Sequence, residues 1–287
     1  REIFHFSGFV YITAMARMLW GRASTLLISI FCGLQDVAFF QIGGRLPNLM
    51  NQLTGPYQEN ISPISASFYA MGRHRSLARI LVNSMRWNSF LASGMMVAIF
   101  VYAHELIRFL FKVDQPLVLN VCRVMVVSLY IGLAFRTIPE RFLMMTERHR
   151  FLSRIIILEA TVNLIACIIL LQFYGIICVV WASLFIKICT TFLIAPPLLR
   201  YLKLSVFKLL FEISLWQLAA SVPLIGIAWL LKTYAADWPD FWIMAVGGSA
   251  GALTYLGCSY WWGLTREEKR YFQRKYLKRL PIRRKAD

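Results

Sequence analysis

The residues best placed to do chemistry are cations in positions where a cation is expensive. The stretch YITAMARMLWGRASTLLISI, Tyr11 to Ile30, reads as a membrane span, yet it holds Arg17 and Arg22. Each arginine costs about 2.5 to 3.5 kcal/mol at a bilayer centre. A third cation, Arg45, lies in a row made by Gln41, Arg45, Asn48, Gln52, Gly55 and Glu59. Those positions step by 4, 3, 4, 3 and 4 residues, which keeps them within about 40° of one direction on a helix. Phe39, Leu46, Met50, Leu53, Tyr57, Ile61 and Ile64 fall on the opposite side. One or two polar residues suffice to hold membrane helices together by hydrogen bonds. A full-length row that includes an arginine indicates a face in contact with water.

The preceding segment has the same character, with Thr13, Arg17, Gly21 and Ser24 forming one stripe and Arg22, Thr25 and Ser29 a second. Arg17, Arg22 and Arg45 are therefore expected to converge on one chamber, with Arg22 and Arg45 at similar depth. A guanidinium fork holds phosphate or carboxylate through paired hydrogen bonds, so such a chamber selects an anion. Gln41, Asn48 and Gln52 would line it. Weaker polar faces occur further on: Arg123, Tyr130, Thr137 and Arg141; Glu159 and Asn163; Ser183, Lys187 and Thr190. Arg123 and Lys187 are expected to join the anion-binding set. Glu59 and Glu159 are the deep carboxylates without an adjacent basic residue, which makes them candidates for carrying a coupling proton or cation; structural pairing with a basic residue on another helix is the alternative. Arg86 and Arg136 are expected to snorkel to the interface, and Glu140, four residues from Arg136, to pair with it.

Catalysis has little support. His5, His74, His104 and His149 fall in loops or at span ends, and no acids stand at metal-ligand spacing. The six cysteines, Cys32, Cys122, Cys167, Cys178, Cys189 and Cys258, form no CxxC pair and are expected to be small core residues. No enzyme activity, metal or cofactor is expected.

The elements that position these residues follow from hydropathy. The 287 residues are 59% hydrophobic with a mean hydropathy of +0.59, against about 45 to 50% apolar in a soluble domain. Runs long enough to span a bilayer as helices occur at 4–31, 37–66, 80–103, 117–144, 152–172, 175–199, 213–232 and 239–263. They do not alternate with period two, so they are not barrel strands. The expected fold is an all-α polytopic membrane protein with about eight transmembrane helices, kinked at Pro47, Pro56, Pro139 and Pro223. The net charge of +17 is mostly topological. Arg73, Arg75 and Arg79, then Arg148, Arg150 and Arg154, then Arg200, Lys203 and Lys208 mark every second loop, and the tail after Gly263 is basic throughout. By the positive-inside rule both ends of the chain are cytoplasmic, and nucleic acid is not an expected partner. The chain starts at Arg1 without a cleavable leader and is expected to be part of something longer.

Two segments resemble a known family. GGRLPNLMNQLTGPYQENISPISASFYAMGRH, with Pro63 and Ser65 as its Pro-x-Ser, resembles the second helix of a lobe in the oligosaccharide-lipid flippases of the multidrug/oligosaccharidyl-lipid/polysaccharide exporter superfamily. MMTERHRFLSRIIILEATVNLIACIILLQFYGIICVVWASL resembles that family's basic inner loop, its Asn-bearing helix (Asn163) and its turn at Tyr174 to Ile177, with Cys178 where a second glycine is usual. The resemblance implies a six-helix transporter lobe at 1–200, two additional helices at 201–263 and a basic cytoplasmic tail at 264–287. It further implies the C-terminal half of a flippase that carries a polyprenyl-pyrophosphate-linked oligosaccharide across the inner membrane by alternating access, for surface polysaccharide such as O-antigen. The missing N-terminal half and glycan assembly proteins would be its protein partners. Rival readings are a multidrug or cation exporter of the same superfamily, a membrane glycan polymerase or ligase, and a scaffold for glycan assembly. In the tail, Thr265 and Glu268 stand in capping-box register and Phe272, Tyr276 and Leu280 recur every four residues. That pattern suits either an interfacial helix on anionic lipids or ordinary cytoplasmic anchoring.

The topology is directly testable. Cysteines introduced near Arg75, Arg150 and Lys203 should resist an impermeant thiol reagent in intact cells, while those near Asp114 and Asp237 react. External labelling at the Arg150 loop would overturn the span count.

Overall fold

The computed structural model describes residues 2–144, 149–202, 205–234 and 239–259. Among them every regular element is helical: α1 (Glu2–Phe31), α2 (Leu34–Ala70), α3 (His74–Val101), α4 (Ala103–Phe111), α5 (Pro116–Ile131), a π turn (Gly132–Arg136), α6 (Thr137–Met144), α7 (His149–Tyr174), α8 (Ile176–Tyr201), α9 (Val206–Tyr234) and α10 (Asp240–Cys258). The basic tail lies outside the described residues.

Each of the eight expected spans corresponds to one helical rod, since α5, the π turn and α6 run on as Pro116–Met144 and α3 and α4 form a bent pair. Pro116–Met144, Phe151–Tyr174, Ile176–Leu199 and Asp240–Cys258 are long and apolar enough to cross a membrane on their own, and the bent pair makes a fifth. The chain is an all-α multi-pass membrane protein. The 37-residue α2 is the instructive shortfall: its polar row dilutes the apolar character that a lipid-facing helix would need.

Packing places α2 among α1, α3, α5 and α6, while α7 joins α1 to α8, and α8 returns to α5. The α2–α5 seam is close because Gly43 carries no side chain; a Cβ there would come within 2.7 Å of Val121 and 3.2 Å of the Val118 carbonyl oxygen. Leu46 and Met50 fill the same seam with Val118, Cys122 and Val126. The helices α9 and α10 are added from outside, α9 against α3 and α10 against α9 and α4. There Tyr255 bonds Ser93 at 2.7 Å, and its ring stacks on Phe90.

One sharp bend falls away from the expected prolines, and Pro139 follows closely on the π turn. Helix α2 continues through Pro47, Pro56 and Pro63, and α9 through Pro223. The chain turns by 73° between α3 and α4, at Tyr102. Lys232 of α9 takes the freed Val101 carbonyl at 2.8 Å and pairs with Glu105 at 2.8 Å, so the break is clasped from the next helix. Arg108 of α4 adds an ion pair to Asp240 of α10 at 2.7 Å. The other irregularity, the π turn, comes one residue before Thr137, whose hydroxyl donates to the Gly132 carbonyl at 3.0 Å. Single π turns inside α-helices are frequent at functional sites, and this one holds Arg136, which pairs with Glu140 and Glu159.

Candidate functional site

Two polar regions meet along α2. The first is its exposed row. Gln41, Arg45, Asn48, Gln52 and Glu59 are all exposed, while Leu46, Met50, Thr54, Gln58 and Ile61 turn inward. Leu53 and Ile64, expected on the face away from the row, are also exposed. The Gln41 amide donates to Thr25 on α1 at 3.1 Å. Because α1 and α2 are antiparallel, Arg22 and Arg45 each lie about one helical turn deeper than that bond, on neighbouring helices at matching depth. Both are exposed, and among the described residues neither side chain has an ion-pair or hydrogen-bond partner. The Arg17 side chain lies outside the described set. Arg123 is not brought to this face: its guanidinium stacks on Phe100 of α3 at 5.5 Å, and its Nε has no hydrogen-bond partner.

The second region is buried, and its centre is Arg136. Arg136 does not snorkel. Its Nε donates to Glu140, its two terminal nitrogens to Glu159 at 2.7 and 2.5 Å, and one of them also to Thr190 at 3.0 Å. The side chains of Arg136, Glu140 and Glu159 are 8%, 9% and 0% exposed, so bulk water does not satisfy them. The physical reason is distance. Glu159 is ten residues into α7 and Lys187 eleven into α8, each about 16 Å from its helix start and so near mid-bilayer, where an interface is out of reach. A buried charge at that depth needs partners of opposite sign. Glu159 therefore meets the alternative foreseen for it, a basic residue on another helix, whereas Glu59 is exposed and makes no ion pair among the described residues.

Lys187 completes the cluster without touching it. It is half-buried, and its chain runs along Gly132, where its Cε and Nζ lie 3.5 Å from the position a Cβ would take. Its ammonium has no ion pair or hydrogen bond among the described residues. It instead faces a cavity of about 210 Å³ lined by Asn51, Leu129, Gly132, Leu133, Arg136, Thr137, Glu140, Ile156 and Lys187. With two acids and two bases, the formal charges of the cluster balance. No group of three or more His, Cys, Asp or Glu among the described residues could hold a metal ion.

Sequence reasoning missed three parts of this arrangement. Asn51 lines the cavity from α2, one turn from Asn48, and so joins the two regions. Gln58 and Asn88 form an inward ladder: Gln58 donates to the Asn88 side-chain oxygen at 3.1 Å, and the Asn88 amide donates to the Leu133 carbonyl in the π turn. Arg136 was assigned to an interface although Glu140 at i+4 already marked it as paired. A useful signal was available, because Glu159 on the next helix needed a cation and Arg136 was the nearest in depth.

Removing the centre should be costly. Arg136→Met leaves Glu140 and Glu159 buried and uncompensated, a loss of about 3 to 5 kcal/mol, whereas Arg136→Lys keeps the charge but loses the fork. Thermal unfolding of purified protein should rank wild type above Arg136→Lys above Arg136→Met, with partial recovery when Glu140→Gln and Glu159→Gln accompany Arg136→Met. An Arg136→Met protein that melts like wild type would contradict the assignment.

Residues 1–115, which carry α1 to α4 and the whole exposed row of α2, match the family model described as polysaccharide biosynthesis protein. No curated protein and no solved structure matches the chain. The similarity is thus to proteins of polysaccharide biosynthesis, and it falls on the half of the lobe that holds Arg22 and Arg45.

Proposed function

We propose that the chain is one lobe of a flippase that carries a polyprenyl-pyrophosphate-linked oligosaccharide across the inner membrane by alternating access, for cell-surface polysaccharide. The observation that carries the reading is the exposed, unpartnered pair Arg22 and Arg45 on a polar membrane-helix face. In lipid such a face is untenable, so it lines water, and the missing half of the transporter would close the other side of that chamber. Two guanidinium forks at one depth suit a pyrophosphate, which offers acceptors in pairs. The match to polysaccharide biosynthesis proteins over residues 1–115 supports glycan-linked cargo over other lipid anions. The rival cation exporter would want several acidic groups along the chamber; the exposed row carries Arg45 and a single acid, Glu59, at its far end, and the buried acids Glu105, Glu140 and Glu159 are paired with Lys232 and Arg136. On this reading the protein transports and does not catalyse. Both ends lie in the cytoplasm, and the basic tail meets anionic lipid.

The test is glycan export per folded transporter. Arg45→Lys should retain part of the activity because charge survives without the fork, Arg45→Ala should retain less, and Arg45→Glu should lose nearly all, with the same order at Arg22 and Arg17. If the glutamate variants export normally per molecule, the anion chamber is wrong. If abundance falls while export per molecule holds, these arginines brace helices and do not bind cargo.

A further inference from the structure

We infer that the cavity beside the π turn is a subsite for the hydroxyl groups of a neutral sugar unit, held by Asn51 and Lys187. The inference rests on the flippase reading and adds to it a second binding region, separate from the arginines.

The walls of the cavity carry hydrogen-bonding groups of both senses. Lys187 offers only donors, Glu140 only acceptors, and Asn51 both. A sugar hydroxyl both donates and accepts, so adjacent hydroxyls can satisfy an ammonium and a carboxylate at once. An anion would fare worse, because the cluster is formally neutral and its two carboxylates would repel a third negative charge in a site of reduced dielectric. Lys187 is the group with capacity to spare: Arg136 is committed to Glu140, Glu159 and Thr190, whereas the Lys187 ammonium has no bond among the described residues. The half-buried ammonium thus has donors to offer an incoming hydroxyl oxygen.

Size and position agree. A volume of about 210 Å³ corresponds to roughly seven waters at about 30 Å³ each, more than a bridging water needs. Gly132 forms the floor along which Lys187 lies, its stem in van der Waals contact with the position a Cβ would take. Asn51 is exposed on α2 and lies six residues from Arg45, about 9 Å along the helix axis. A substrate with its pyrophosphate at Arg22 and Arg45 would therefore bring its first sugars level with this opening. Charge recognition falls to α1 and α2, and hydroxyl recognition to the α2, α5 and α8 side.

The test uses the full-length transporter in lipid nanodiscs, with the cavity-lining Leu129→Cys in a background whose other reactive cysteines are replaced. The rate of modification by a hydrophilic maleimide is measured with three probes: a neutral oligosaccharide released from the host's own surface glycan, a uronic-acid oligosaccharide of similar length, and inorganic pyrophosphate. At a neutral glycan concentration about three times its Kd, labelling slows roughly fourfold, because only the empty fraction reacts. Adding Lys187→Met removes this protection, and Lys187→Arg keeps part of it with an unchanged melting temperature. Pyrophosphate leaves the rate unchanged. Protection by pyrophosphate or the uronic-acid glycan, but not by the neutral glycan, would make the cavity an anion site and overturn the inference. No protection by any probe would mean that it holds water alone. Export that depends on Arg45 without glycan protection at Leu129→Cys would reject the subsite and leave the flippase standing. Protection without export would do the reverse.

Discussion

A cation inside a membrane must have either water or a counter-charge, and this chain uses both answers on adjacent helices. Arg136 takes the second: three helical segments deliver Glu140, Glu159 and Thr190 to a single guanidinium. Arg22 and Arg45 have no such partners among the described residues, and on the proposed reading water offsets their insertion cost. The lobe is organised by that division. One side of α2 packs tightly against α5 through Gly43, and the other is left polar and open.

The irregular backbone serves the buried answer. A π turn widens the helix at Gly132–Arg136, and its carbonyls take side-chain hydrogen bonds as well as the Thr137 N–H that closes the turn on Gly132. Thr137 takes the Gly132 carbonyl, and Asn88 takes that of Leu133, itself held by Gln58 from α2. The turn is thus tied to the two helices on which the exposed row and the α9 contact depend. Any movement of α2 would be felt at Leu133 through two side-chain hydrogen bonds, which ties the neutral charge cluster to the helix that carries the exposed row.

The eight rods and the exposed row of α2 were legible in the sequence because hydropathy and a period of 3.6 report on one helix at a time. What was not legible required pairing between helices. Arg136 looked like an interfacial residue because its depth in a 29-residue rod cannot be read without knowing how that rod is set against α7 and α8. Glu159 and Lys187 could be recognised as deep, yet only packing shows that the first is committed and the second is not. Proline positions do not report a break between helices: α2 stays helical through Pro47 and Pro56 because neighbouring groups re-satisfy what a proline frees, while the bend at Tyr102 is held by Lys232 from more than a hundred residues away.

The central claim is that one face of α2 stands in water inside the bilayer. It is tested most directly by placing single cysteines along α2 from position 41 to 61 in the full-length protein and measuring their reaction with a small hydrophilic thiosulfonate. Reaction at 41, 45, 48, 52 and 59, with protection at 46, 50, 54, 58 and 61, is the pattern the structure requires. Uniform protection along the helix would mean that Arg45 is buried against protein or lipid, and the aqueous chamber would not exist.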